Sequence, residues 1–296
     1  MTGLDLPHQT RRAIAADGTP ITYVVVGEGP RDFVFCPGLG GPLVTYRKLF
    51  RHFAGRYRFI GWEPRGLFSS GVPGEGERAL RVEDHVSDLE AIVERERLGS
   101  FTLGGWSMGV QISLEYAHRH PERCTKLVLV NGAFGHVLDK VPGGERLQSA
   151  LIRLLSRAGP LIDLNARLFL DTRPMVAALH RVGYFRGHPE EFQVVLGEFK
   201  QLDFRRYLRM ILALHQHTAE PYLHRLDIPT LVTVGTHDWM APPSVGRELV
   251  RRLPDAELFL IENGTHYSLV EHPETVHRAI DGFLERVEKR AERRCA

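Results

Sequence analysis

Three side chains in this sequence have the types needed for nucleophilic acyl transfer: a serine at 107, a carboxylate at 238 and an imidazole at 266. A serine hydroxyl is a weak nucleophile unless a base takes its proton during attack. Imidazole titrates near pH 6.5 in reference peptides, so it can accept a proton and return it close to neutrality. A carboxylate on the far ring nitrogen fixes the tautomer and stabilises the imidazolium. The question is whether the chain can bring the three together.

Ser107 sits in Gly104-Gly105-Trp106-Ser107-Met108-Gly109. Phe101-Thr102-Leu103 upstream is a short, mostly apolar run that reads as a buried strand, and Val110 to Ala117 downstream has helical periodicity. The serine therefore falls where a strand turns sharply into a helix. Gly105 and Gly109 flank it two residues away on each side, where a side chain would block the approach of strand and helix. That is the G-x-S-x-G pattern of a strained nucleophile turn with a helix N-terminus beneath it. A plain strand-to-helix turn would fit the same five residues, so the weight rests on the rest of the chain.

Asp238 and His266 follow two late strands. Thr230 to Val234 runs into Gly235-Thr236-His237-Asp238, and Glu257 to Ile261 runs into Glu262-Asn263-Gly264-Thr265-His266. Both groups thus stand at C-terminal strand ends, the edge where open α/β sheets place their ligands. Each has a rival. Asp238 could cap the helix that follows Pro242, and His237 beside it could be mistaken for the base. Asn131, at another strand end, cannot act as a carboxylate.

The remaining elements read as follows. Arg12 to Ala16 and Ile21 to Val26 flank Asp17-Gly18-Thr19-Pro20 as a hairpin. Asp32 to Cys36 is a buried strand that enters Pro37-Gly38-Leu39-Gly40-Gly41. No G-x-x-x-x-G-K-[ST] follows, so this loop is suited to turning N–H groups toward an oxyanion rather than to cradling a nucleotide. Arg58 to Trp62 is a strand, the loop from Glu63 through Glu77 follows, and Val82, Val86, Leu89 and Val93 mark a helix. Lys126 to Val130 is again a strand. Between residues 133 and 225 helical patterns replace the strands: Leu147 to Leu155, Leu161 to Leu170, Met175 to Arg181, and one run from Glu190 to His215.

With the order Ser107, Asp238, His266 in hand, the chain resembles the α/β-hydrolase superfamily, and within it the serine esterases and lipases, over almost its whole length. The resemblance implies an α/β fold with a mostly parallel central sheet flanked by helices. It implies a core of residues 1–132 and 226–296 and an inserted helical cap, or lid, of 133–225. It makes Ser107 the nucleophile, His266 the base and then acid, and Asp238 its orienting carboxylate. The backbone N–H groups of Leu39 and Met108 would form the oxyanion hole. Three departures stand out. Pro37-Gly38 replaces the frequent His-Gly, and proline carries no N–H. Glu63, Arg65, Gly66 and Ser70 match D-x-R-G-x-G-x-S loosely, with Phe68 in place of a glycine. Val110 stands where a second glycine often follows the serine turn.

Composition narrows the class. The chain has 296 residues, 38 basic against 36 acidic, and a formal net charge of +2, which gives no electrostatic footprint for nucleic acid. No apolar run approaches the roughly 18 residues of a membrane span. Residues 1 to 7 lack the apolar core of a signal peptide. Cys36, Cys124 and Cys295 are too few and too scattered for a disulfide framework or a metal site. The charged end from Arg286 to Ala296 reads as a solvated helix face. The expectation is a cytoplasmic, cofactor-independent serine hydrolase without a metal, acting on a small-molecule carboxylic ester with an apolar acyl or alkyl group. Thioester, lactone or C–C hydrolysis, perhydrolysis and a slow-turnover ligand receptor are the alternatives. Leu151, Leu154, Leu155, Leu168, Phe169, Leu170, Met175 and Phe185 are candidate pocket walls, most of them expected simply to pack the cap.

Overall fold

Nearly continuous apolar runs in the later strands call for burial on both faces, which is the signature of a parallel sheet covered by helices. A computed structural model of the protein describes residues 4–74, 76–139 and 144–295. The expected boundaries at residues 1 and 296, and residues 140–143 of the expected cap, lie outside the described residues. Among the described residues the strands are β1 (Gln9–Ile14), β2 (Pro20–Val26), β3 (Arg31–Cys36), β4 (Tyr57–Trp62), β5 (Phe101–Trp106), β6 (Cys124–Val130), β7 (Thr230–Gly235) and β8 (Ala256–Ile261). They form one sheet in the order β1-β2-β4-β3-β5-β6-β7-β8. β1 pairs antiparallel with β2 and β2 with β4, and every later pairing is parallel. The hairpin turns at Gly18, whose φ of +82° costs a glycine little.

The helices are α1 (Arg47–Phe53), α2 (Val82–Glu96), α3 (Met108–Arg119), α4 (Gly144–Arg157), α5 (Gly159–Phe169), α6 (Arg173–Arg181), α7 (Pro189–Phe199), α8 (Phe204–Gln216), α9 (Pro243–Arg252), α10 (Ser268–Glu271) and α11 (Pro273–Cys295). Side chains alternate across each strand, so Phe33 and Phe35 face one side and Val34 and Cys36 the other. The first side packs on Phe50 and Phe53 of α1 and Ile280 and Phe283 of α11. The second packs on Leu89 of α2, Ile112 of α3 and Leu249 of α9. Each such residue, fully buried, contributes about 1.5–3 kcal/mol of hydrophobic stabilisation.

Two sequence expectations change. Strand β5 does not stop at Leu103 but runs through Gly104 and Gly105 to Trp106. Glycine has poor strand propensity, but here Cβ atoms at both positions would strike neighbouring atoms under 3 Å away, so packing overrides propensity. The run from Glu190 to His215 is two helices, α7 and α8, parted at residues 200–203. Asp203 stops the run by capping α8, accepting the Arg206 N–H at 2.9 Å.

Helices α4 to α8 lie in the chain between β6 and β7. Val195, Phe199 and Met210 of these helices pack with Val44, Leu67 and Leu80 in the segments that follow β3 and β4. An Arg47–Glu191 ion pair joins α7 to α1.

Candidate active site

The strand order reverses around β3: its neighbours are β4 on one side and β5 on the other. At such a point two loops leave the same sheet edge in opposite directions and open a crevice between them. The loop after β3 is residues 37–41, and the loop after β5 is Ser107 itself.

Ser107 has φ +56° and ψ −115°, a conformation that costs a non-glycine residue about 1–3 kcal/mol and persists only where its surroundings enforce it. Here the enforcement is visible. Ser107 N–H donates to the Val130 carbonyl at 3.0 Å, and its own carbonyl accepts from Val110 N–H at 3.0 Å. A Cβ on Gly105 would lie 2.2 Å from the Gly109 carbonyl oxygen, and one on Gly109 would lie 2.3 Å from the Cys36 carbonyl oxygen. Both flanking glycines are therefore required by contact. Val110, the departure noted above, packs where a Cβ on Gly132 would come within 2.3 Å of it. The glycine has moved to the facing loop.

The three reactive side chains meet. Ser107 Oγ is 2.8 Å from His266 Nε2, and His266 Nδ1 is 2.9 Å from Asp238 Oδ2. His266 and Asp238 are buried. Oδ2 of Asp238 faces His266, while Oδ1 accepts the N–H groups of Met240 and Ala241 at 2.9 and 2.8 Å in the turn before α9. Asp238 does not cap that helix, whose N-cap is Pro242 with no side-chain hydrogen bond. His237 is exposed, its Nδ1 against neighbouring Thr236.

Sequence reasoning missed the groups that hold this chain in place. Asn131, fully buried at the end of β6 with φ +45°, donates from Nδ2 to Asp238 Oδ2 at 2.9 Å and to the Thr265 carbonyl at 3.0 Å. Its Oδ1 accepts from Ser268 Oγ. The position was visible in the sequence as a strand end, but only its inability to act as an acid was weighed. Trp106 Nε1–H donates to the His266 carbonyl at 2.8 Å. Glu271 accepts from both the N–H and the hydroxyl of Thr265 at 2.7 Å, fixing the residue before the histidine. Behind α3, His217 sits between Gln111 Oε1 at 2.6 Å and Glu115 Oε2 at 3.2 Å, and Tyr222 hydroxyl donates to Glu115 at 2.6 Å. The His217 hydrogen bond, with those of Tyr222 and Arg119, holds the Glu115 carboxyl at about 2 against the burial that opposes it.

Leu39 and Met108 line the same cavity as Ser107 and His266. Outside the helix and sheet ladders, neither of their N–H groups donates to a described acceptor. The loop carrying Leu39 is fixed by Gly38 N–H to the Tyr46 hydroxyl at 2.8 Å and by Gly41 N–H to the Gly38 carbonyl at 3.0 Å. The loosely matching loop after β4 works elsewhere: Arg65 is buried against Asp88 at 2.6 and 2.9 Å, and Phe68 takes φ +52° in place of a glycine.

The cavity measures about 220 Å³. Its walls include Val137, Leu138, Tyr184, Tyr207, Ile211 and Leu214 from the segment between β6 and β7, with Trp239 and Met240 from the loop after β7. None of the eight wall candidates named from the sequence lines it. Leu151, Leu154, Leu155, Leu168, Phe169 and Met175 are exposed, Leu170 is half-buried, and Phe185 is buried against Phe192 with centroids 3.9 Å apart. Helical spacing shows that a stripe is apolar; it does not show which neighbour the stripe meets. Burial raises the phenol pKa values of Tyr184, Tyr207 and Tyr267, so these hydroxyls stay protonated donors. A second cavity of about 410 Å³ adjoins the first and shares Ala133, Val137 and Met240 with it.

Comparison with known proteins agrees with this fold. The sequence profile described as alpha/beta hydrolase fold matches residues 33–273. The chain is 23% identical over 276 residues to 3-oxoadipate enol-lactonase 2 of Acinetobacter baylyi, covering 92% of this chain and 96% of that protein. It is 30% identical over 193 residues to a poly(3-hydroxyalkanoate) depolymerase of Ectopseudomonas oleovorans, covering 65% of this chain and 64% of that one. Among solved structures, a thermophilic esterase from Thermogutta terrifontis superposes with a TM-score of 0.76 at 21% identity, covering 94% of this chain and 99% of the esterase.

Proposed function

The chain belongs to the α/β-hydrolase fold family, and from that premise we propose that it is a cofactor-independent serine hydrolase that cleaves a small carboxylic ester through an acyl-enzyme on Ser107. The observation that carries this reading is the unbroken hydrogen-bonded chain Ser107 Oγ, His266 Nε2, His266 Nδ1, Asp238 Oδ2 at the end of a cavity.

In this reading His266 Nε2 takes the hydroxyl proton as Ser107 Oγ attacks the carbonyl carbon. Asp238 accepts the Nδ1–H throughout and stabilises the imidazolium. The N–H groups of Leu39 and Met108 receive the developing oxyanion. Collapse breaks the carbonyl carbon–alkoxide bond, and His266 Nε2–H protonates the departing oxygen. Water then attacks the acyl-enzyme, giving its proton to His266, and Ser107 leaves with that proton restored. Donors fixed in advance and shielded from water are usually the largest single contribution to such a reaction.

The size and lining of the cavity support a substrate class. At ~30 Å³ for each water-sized volume, 220 Å³ holds about seven such volumes, which suits a short acyl group. Leu138, Ile211, Leu214 and Met240 make it apolar. We read residues 133–225 as a cap that decides substrate choice while the sheet edge decides chemistry. Ring opening of a lactone is the same sequence of steps with acid and alkoxide in one molecule. The 92% coverage of this chain by an enol-lactonase makes it the second reading.

A series of p-nitrophenyl esters from acetate to decanoate, a set of small lactones, and labelling with a fluorophosphonate test the proposal. We expect sustained turnover that favours short chains and a label on Ser107. A single stoichiometric burst without turnover, or a label on another residue, would overturn it.

A further inference from the structure

Large apolar side chains are exposed on consecutive helices of the segment between β6 and β7. On α4, Leu147, Leu151, Leu154 and Leu155 recur three and four residues apart and are exposed, Leu147 by 62%. On α5, Leu161, Leu164 and Leu168 repeat the stripe, Leu161 being 63% exposed. Met175 and Val182, the latter 77% exposed, extend it along α6 and the turn beyond. Scattered exposed leucines are ordinary, but an apolar stripe on consecutive helices marks a contact surface. Both α4 and α5 pack on α8 through other positions: Ile152 and Ser156 are buried on α4, Ala166 on α5, and Gly159 lies against Arg205. The leucines lie off that buried side.

The charge of the region says what it meets. Residues 144–186 carry seven arginines against three acids. Arg146, Arg153 and Arg157 on α4, Arg167 on α5, and Arg173, Arg181 and Arg186 beyond are exposed, and among the described residues none is paired with a carboxylate. Many arginines on other faces are paired, as Arg11 is with Glu96, Arg56 with Asp281 and Arg252 with Glu248, whereas Arg12, Arg97 and Arg247 have no carboxylate partner among the described residues. The three acids are already engaged. Asp171 pairs with Lys200 at 2.6 Å, Asp163 accepts the Phe204 N–H at 2.9 Å, and Glu145 faces His215 at 3.5 Å.

We propose that α4, α5 and α6 form a docking face for an anionic lipid surface, on which the protein lies without crossing it. The leucines would enter the boundary between headgroups and acyl chains, and the arginines would extend along it to the phosphates. A second copy of the chain fits poorly: a two-fold interface would set the same unpaired arginines against each other, with no free acids to neutralise them. The exposed segment is followed in the chain by a residue of the cavity wall. Val182 is two residues before Tyr184, whose ring lies 6.4 Å from that of the half-exposed Trp239, and both rings line the cavity. The proposal does not depend on what Ser107 does.

Flotation with vesicles tests it. We expect binding to vesicles rich in phosphatidylglycerol, about tenfold or more weaker binding to pure phosphatidylcholine, and release as salt rises from about 50 to about 500 mM. L147Q/L161Q/L164Q keeps the charge and removes three exposed side chains, and it should lower binding about tenfold or more. R153Q/R167Q should lower binding to phosphatidylglycerol about fivefold for each arginine. Both variants should unfold at the wild-type temperature by circular dichroism, since no buried contact is lost. Three results would overturn the proposal: no vesicle binding, equal binding to both lipids, or variants that bind like wild type. So would a wild-type dimer in sedimentation that L147Q/L161Q/L164Q converts to monomer without any vesicle binding.

Discussion

Asp238→Asn tests the proposed mechanism at the point where one proton position decides the outcome. The carboxylate accepts four N–H groups: Met240 and Ala241 at Oδ1, and Asn131 Nδ2 and His266 at Oδ2. An asparagine of the same shape must place an NH₂ at one of those two ends. With the NH₂ at the Oδ1 end, it would face two backbone donors. With the NH₂ at the Oδ2 end, it would face the Asn131 amide and would donate to His266 Nδ1. The ring proton would then sit on Nε2, directed at Ser107, and Nε2 could no longer accept the serine proton. Two backbone donors cannot turn away, so the second arrangement should prevail.

The loss is then one of chemistry more than of fold. In a serine protease the equivalent change costs about 10⁴ in kcat, or ~5.5 kcal/mol of transition-state stabilisation. The donor–donor contact with Asn131 leaves buried groups unsatisfied at a cost of about 1–3 kcal/mol. Steady-state kinetics on p-nitrophenyl acetate from pH 5 to 9, with thermal unfolding alongside, separates the two effects. We expect kcat/KM to fall about 10⁴-fold in a protein that still unfolds cooperatively. Activity within tenfold of wild type, with an unchanged pH profile, would refute the reasoning and remove Asp238 from its assigned place.

Ser107→Ala should lose about 10⁶ in kcat and all fluorophosphonate label while folding normally, because the hydroxyl contributes no described contact except His266; kinetics and intact-mass measurement check this. Gly109→Ala should destabilise by more than ~2 kcal/mol, since its Cβ would lie 2.3 Å from the Cys36 carbonyl oxygen and 3.0 Å from the Cys36 Cβ; urea unfolding reads the loss. Ile211→Trp should fill the cavity and shift preference toward the shortest acyl chains, read as the ratio of kcat/KM for acetate and hexanoate esters. Glu115→Gln bears on pH. The native carboxyl titrates at about 2 and the unfolded one near its ordinary 4.5, so the unfolded chain binds more protons in between. The stabilisation is complete above pH 4.5 and lost as pH falls toward 2, so the urea midpoint should slope across that window in wild type and flatten in the variant.

The parts of the site that the sequence revealed are those where local chemistry and strand position act together. Gly105, Ser107 and Gly109 are legible because the contact that forbids a side chain lies within the strand and helix they join, and with the neighbouring strand β3. Asp238 and His266 are legible because each directly follows a strand, and a parallel sheet sends the ends of its strands to one edge. Asn131 obeys the same positional rule. It was passed over because an amide has no charge to suggest a role, although a buried amide can donate to a carboxylate and accept from a hydroxyl at once.

The cavity walls were illegible for a different reason. The leucines of α4 and α5 repeat at helical spacing, and so do Tyr207, Ile211 and Leu214, which line the cavity, so spacing does not tell the two stripes apart. Periodicity reports that one side of a helix is apolar and leaves open what that side meets. In α2 the stripe meets the sheet, and Val82, Val86, Leu89 and Val93 are buried there as the spacing predicts. In α4 the same kind of stripe stays exposed, Leu147 and Leu154 most of all, while α8 takes the side carrying Ile152 and Ser156. Leucines left exposed on consecutive helices are what a contact surface would account for. The unpaired arginines on the same helices run in the same direction, since a surface selected only for solubility would intersperse both signs of charge. The disagreement between pattern and packing is therefore itself an observation, and the vesicle experiment addresses it.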